Sequence, residues 1–106
     1  MSDPFLPPPL SAYFSRTDTT AALELFAPNA EVRDENEVHR GPGEIAAWLG
    51  SVEERYHPRY RVLTAEEHDG RTIVGFEVSG TFPGSPAKLR QSFVIADGRI
   101  HKLETL

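Results

Sequence analysis

In the second half of the chain apolar side chains recur at every second position: Val74, Phe76 and Val78 share one parity, and Leu89, Phe93 and Ile95 share another. A period of two places alternate residues on one face of a strand. The segments Arg59 to His68, Thr72 to Phe82, Ala87 to Ala96 and Arg99 to Thr105 are therefore predicted as strands, broken at Asp69-Gly70, Pro83-Gly84-Ser85-Pro86 and Asp97-Gly98. Asp-Gly is a tight-hairpin dipeptide because both residues tolerate positive φ. The strands should run antiparallel and present one apolar face.

The first half has a helical period. Leu10, Tyr13 and Phe14 at i, i+3 and i+4 behind a run of prolines predict a short helix over about 9–16. Asp18 offers an N-cap to a second helix carrying Ala22, Leu23 and Phe26, which Pro28 stops. Ala30, Val32 and Asp34 then alternate with Glu31, Arg33 and Glu35, and Val38 continues the pattern beyond a turn at Glu35-Asn36, which reads as a small hairpin. Pro42 and Glu44 open a third helix with Ile45, Trp48, Leu49, Val52 and Tyr56 on one stripe, ended by Pro58. Helices first and strands afterwards give an α+β domain: a curved antiparallel sheet with about three helices on its concave face, enclosing a cone-shaped pocket. Residues 1–9 read as a proline-rich lead-in, and Leu10 to Leu106 as a single domain.

Composition narrows the function classes. Eleven Lys and Arg against sixteen Asp and Glu give a net charge of −5, and the arginines are scattered singly, which argues against a nucleic-acid partner. Cysteine is absent, removing disulfides, thiolate nucleophiles and cysteine-ligated zinc. The four histidines, at 39, 57, 68 and 101, lie in different predicted elements without metal-ligand spacing, so no metal is expected. No phosphate loop, dinucleotide fingerprint or nucleophile elbow is present, so no cofactor is expected. The longest apolar stretch, Ile45 to Gly50, is too short to cross a bilayer, and the acidic, proline-broken start does not resemble a signal peptide. A soluble cytoplasmic protein is the expectation.

Three segments carry a resemblance: Leu23-Glu24-Leu25-Phe26-Ala27-Pro28-Asn29-Ala30-Glu31-Val32-Arg33-Asp34, then Arg40-Gly41-Pro42-Gly43-Glu44-Ile45-Ala46-Ala47-Trp48-Leu49, and the closing Asp97-Gly98-Arg99-Ile100. In order and spacing they resemble the nuclear transport factor 2-like superfamily, in its polyketide-cyclase-like (SnoaL-like) and ketosteroid-isomerase-like branches, from Leu10 to Glu104. The resemblance implies a cystatin-like fold and pairing of two copies through the outer sheet face. It also implies that Asp34 stands where isomerase-like members carry the general base. Without gaps, the tyrosine of their first helix falls on Leu10 and their oxyanion-binding acid on Gln91.

The residues themselves leave alternatives open. Asp34 shares parity with Ala30 and Val32, which points its carboxylate to the interior; it also opens the Asp34-Glu35-Asn36 turn, where it would be solvated. Gln91 lies between Leu89 and Phe93, facing either a ligand oxygen or its own backbone. His101 is a second titratable candidate or a structural histidine. Tyr13, Phe14, Trp48, Tyr56, Phe76 and Phe93 line either a ligand pocket or a plain core. Tyr60 could line a cavity or a dimer face. The expected function is binding of a small hydrophobic molecule that carries a carbonyl or hydroxyl, with Asp34 as base and Gln91, Tyr13 or His101 orienting an oxygen, as in an acid/base isomerase or cyclase. The alternative is a non-catalytic dimeric ligand-binding or protein-interaction module.

Overall fold

The computed structural model describes residues 6–106. Three helices, α1 (Pro8–Phe14), α2 (Thr19–Leu23) and α3 (Gly41–Tyr56), accompany six strands: β1 (Phe26–Asp34), β2 (Glu37–Arg40), β3 (Arg59–His68), β4 (Arg71–Ser79), β5 (Ala87–Ala96) and β6 (Arg99–Thr105). The strands form one sheet in the order β2-β1-β6-β5-β4-β3. Of the expected lead-in, residues 1–5 lie outside the described ones, and Pro8 and Pro9 belong to α1.

Local chemistry explains most boundaries. Asp18 caps α2 by accepting a hydrogen bond from the Thr20 amide at 2.8 Å. Glu44 Oε1 accepts from the Arg40 amide at 2.9 Å and so closes the start of α3. His57, at φ 45°, caps its end in the left-handed region. Both residues of three hairpin turns have positive φ: Glu35 and Asn36 at 52° and 65°, Asp69 and Gly70 at 51° and 79°, Asp97 and Gly98 at 53° and 73°. That is the backbone a two-residue turn needs to match strand twist.

Three expectations are corrected. The second helix stops at Leu23 instead of running to Pro28, because the Leu25 carbonyl accepts from the Ile100 amide at 2.8 Å and ties this stretch to β6. Pro28, with no N–H to give, then sits where the β1–β6 register is interrupted between Phe26 and Glu31. The sheet is mixed, since β1 pairs with β6 in parallel while every other pairing is antiparallel. Finally β4 ends at Ser79, short of Phe82: the Thr81 amide donates to the Tyr56 carbonyl at 2.8 Å, turning the chain onto the end of α3. Gly80 permits this approach, because a Cβ there would collide with that same carbonyl.

The core lies between the helices and the concave face. Tyr13 and Phe14 of α1 wedge against Phe93 of β5, with ring centroids 5.7 and 5.8 Å away, and Phe14 meets Phe76 of β4 at 5.1 Å. From α3, Ile45, Trp48 and Leu49 are buried, and Val32, Val74, Ile100 and Leu103 meet them from the sheet. Among the described residues no helix is long and apolar enough to cross a membrane.

Phe93 is fully enclosed at the centre of this wedge. Phe93→Ala is expected to lower the unfolding free energy by about 3–5 kcal/mol, read from urea denaturation. A loss under about 1 kcal/mol would contradict the packing described.

Candidate functional site

The aromatic wedge occupies only part of the concave face. Beneath the second half of α3 a cavity of about 260 Å³ remains, lined by Tyr13, Trp48, Val52, Tyr56, Tyr60 and Phe76, with Val78, Phe82, Ala87 and Leu89 towards the β4–β5 end. Its polar groups are few: Asp34 and Glu35 at the tip of the β1–β2 hairpin, Gln91 of β5 and Thr105 of β6. An apolar hollow with a handful of polar groups is the usual make-up of a small-molecule site, and this one falls just below the usual size range.

Strand parity puts Asp34 here, since it follows Ala30 and Val32 on the concave side of β1. The turn reading also holds in part, because Asp34 is the last residue of β1 before Glu35 and Asn36 and is half-buried at the rim. The indole Nε1–H of Trp48 donates to Asp34 Oδ2 at 3.0 Å. This bond fixes the carboxylate and leaves Oδ1 free of that contact. Beside it Tyr56 donates to Glu35 Oε1 at 3.0 Å and accepts from Arg55 at 2.8 Å, so its hydroxyl is committed at the rim.

Across the cavity, Gln91 is buried and its Nε2 donates to Thr105 Oγ1 at 3.0 Å. Its Oε1 is buried without a partner, an arrangement that costs free energy while it lasts. The phenol of Tyr13 lies between these walls. Burial pushes its pKa above the ordinary tyrosine value, against the opposing charge of Arg16, and Tyr60 and Asp34 push it the same way as burial. Tyr13 is therefore held neutral and keeps a proton to donate.

The structure thus gathers Asp34, Gln91, Tyr13, Trp48, Tyr56 and Phe76 around one cavity. Three further candidates lie elsewhere. His101 is outside the lining, with its Nε2 3.2 Å from the Ala96 carbonyl across the β5–β6 turn. A register shift between Val94 and Ile95 buries its neighbour Ile100 and removes His101 from the inward row. Phe14 and Phe93 pack inside the aromatic wedge instead of facing the hollow. Leu10 is likewise sealed in the core, and Tyr13, one helical turn further along α1, brings the hydroxyl to the cavity. Thr105 and Phe82 line the cavity as well, without a place among the residues expected from the sequence. Thr105 shares parity with the buried Leu103 and was legible from alternation, whereas Phe82 follows a strand that ends before it.

A separate depression, of about 320 Å³, is mostly charged, with Glu31, Arg33, Arg71, Lys102 and Glu104 around Val94 and Leu103. Among the described residues no three His, Asp or Glu side chains gather as a metal site requires.

With the geometry in place, comparison supplies the class. The sequence profile of the SnoaL-like domain matches residues 10–102, and the chain belongs to that family. Solved structures agree. A Sinorhizobium meliloti protein, provisionally assigned as a polyketide cyclase, is 38% identical over 95% of both chains with a TM-score of 0.88. A Catenulispora acidiphila protein with a ketosteroid isomerase-like fold, crystallised with trimethylamine, is 14% identical over 96% of this chain and 86% of its own, with a TM-score of 0.80. A phenazine biosynthesis-related protein of Pseudomonas aeruginosa is 19% identical over 92% of this chain and 72% of its own, with a TM-score of 0.77. The last two share the fold alone. No curated protein sequence matches the chain significantly.

Burial also raises the pKa of Tyr60, and of Tyr56 with help from its bond to Glu35, above the ordinary tyrosine value. In the unfolded chain these phenols ionise at their ordinary values, so the unfolded state loses protons first as pH rises. The stabilisation is complete below about pH 10 and declines above it. Tyrosinate absorbance of the native protein is expected to lag behind that of the denatured protein, and Tyr13→Phe to flatten the alkaline loss of stability. Coincident native and denatured titrations would contradict the burial.

Proposed function

We propose that the cavity binds a compact, largely apolar molecule bearing a carbonyl, and that Asp34 removes a proton from the carbon beside it. The observation that carries this reading is a half-buried carboxylate, oriented by the Trp48 indole N–H, at one wall of an apolar hollow whose other walls hold the Tyr13 phenol and the Gln91 amide. Proton abstraction next to a carbonyl needs a base within reach of the C–H and a donor for the oxygen as it gains charge. In this reading Asp34 takes the first task. Tyr13, held protonated by burial, is suited to the second. A hydroxyl or N–H elsewhere on the ligand would give Gln91 Oε1 the partner it lacks. A single base of this kind contributes roughly 10²–10⁴ in rate, which suits a C–H that is already acidic. The provisional cyclase assignment of the Sinorhizobium protein supports this chemistry.

The test is hydrogen–deuterium exchange at the activated carbon of β-tetralone in D₂O, followed by proton NMR. The native protein is expected to accelerate the exchange, and Asp34→Asn to slow it by about 10²–10⁴. Equal rates for both proteins would overturn the assignment of Asp34. Trp48 is the single tryptophan, so its emission reports occupancy independently. Quenching by the ketone without exchange would identify the non-catalytic ligand-binding module instead.

A further inference from the structure

Arg16 differs from the arginines that form ion pairs. Arg33, Arg40, Arg55 and Arg61 are exposed, yet each has a carboxylate oxygen close by, at 2.8, 3.6, 3.7 and 3.4 Å. Arg16 is half-buried and bonds only to uncharged oxygens: Nη1 donates to the Tyr13 carbonyl at 2.9 Å and Nη2 to the Tyr60 hydroxyl at 3.0 Å. Its guanidinium lies 4.2 Å from the centre of the Tyr13 ring and 4.8 Å from that of Tyr60. Two aromatic faces hold the cation in place, but they bring no net negative charge to it. Of the five guanidinium N–H groups two are occupied, which leaves three for another acceptor.

That acceptor has somewhere to sit. Arg16 lines a second cleft, of about 450 Å³, which shares Tyr60 and Pro58 with the main cavity. Arg59 and His57 border it as well, and Phe14 adds an apolar edge. The acidic side chain of the cleft is Glu53, whose Oε1 lies 4.0 Å from His57 Nδ1 and whose charge also reaches Arg16 without forming an ion pair with it. A chain with a net charge of −5 has therefore gathered two arginines and a histidine against one carboxylate in a single concavity. Half-buried cations normally sit beside an anion, and planar carboxylates match a guanidinium fork.

We propose that this cleft is a second binding site, which takes a small carboxylate whose oxygens meet the free N–H groups of Arg16 and whose apolar body lies against Tyr60, Pro58 and Phe14. Arg59 supplies a second positive charge at the entrance. The site is independent of any role of Asp34, and its ligand need not be the one held in the main cavity.

Benzoate is the probe, titrated into the full chain while the Arg16 Nε–Hε signal is followed by NMR. A saturable shift of that signal is expected, with benzamide, the uncharged isostere, producing none. Arg59→Ser changes an exposed residue and should weaken binding about threefold. Arg16→Lys keeps the charge over the rings but loses the fork and should weaken it about tenfold or more. If Arg16→Lys fails to fold, Arg59→Ser decides. Asp34→Asn should leave benzoate affinity unchanged, which separates this site from the main cavity. Absence of saturation at Arg16 would overturn the proposal, as would binding indifferent to Arg59→Ser or shifts confined to Trp48. Inorganic phosphate binding as tightly as benzoate would overturn the assignment to carboxylates.

Discussion

The structure turns on how one curved surface is covered. A bent sheet offers more concave area than the short α1 can fill, so Tyr13 and Phe14 close one part against Phe76 and Phe93 while α3 bridges the remainder. Aromatic rings are well suited to that wedge because they bury large areas with few rotatable bonds and meet edge to face. What they leave uncovered becomes the cavity. Its position is therefore a by-product of packing, and two of the polar residues that reach it do so because their strands end at its margin, Asp34 closing β1 and Thr105 closing β6, while Gln91 enters from the middle of β5.

Electrostatics then divides the neighbourhood of Tyr13 in two. Burial, with a smaller contribution from Asp34, keeps the phenol protonated; on the other side the Arg16 guanidinium presses on the same ring and pulls the opposite way. A single tyrosine thus separates an acidic, oily compartment from a cationic one. Tyr60 repeats the arrangement from β3, bonded through its hydroxyl to Arg16 while it lines the cavity.

Much of this architecture is written in local pattern. Alternation in β3 to β6, the Asp-Gly turns, the stripe on α3 and the Asp18 cap each answer to nearest-neighbour physics, and they appear where that physics puts them. The failures share a cause. Phe26 to Pro28 looks helical until β6, far along the chain, claims it as a strand, and the parallel β1–β6 pairing has no local signature at all. The inward parity of Asp34 was legible, but the Trp48 indole that orients it came from a helix whose rotation no alternation rule specifies. His101 leaves the inward row because β6 carries one extra residue there against β5, which reverses its parity. Arg16 has no local signature, since a single arginine after a short helix is ordinary until two tyrosines close around it.

The parallel seam has a bearing on how the molecule is made. Arg33 lies opposite Glu104, a separation of roughly seventy residues, so most of the polypeptide must exist before β1 finds its neighbour. During synthesis the β1–β2 hairpin waits with one edge bare, and such edges invite pairing with strangers. Glu31 and Arg33, whose side chains join in an ion pair at 2.8 Å, lie along that waiting strand. Charges at such positions act as gatekeepers against aggregation. Their first service would then be rendered to the nascent chain, before there is a hollow for any ligand to enter.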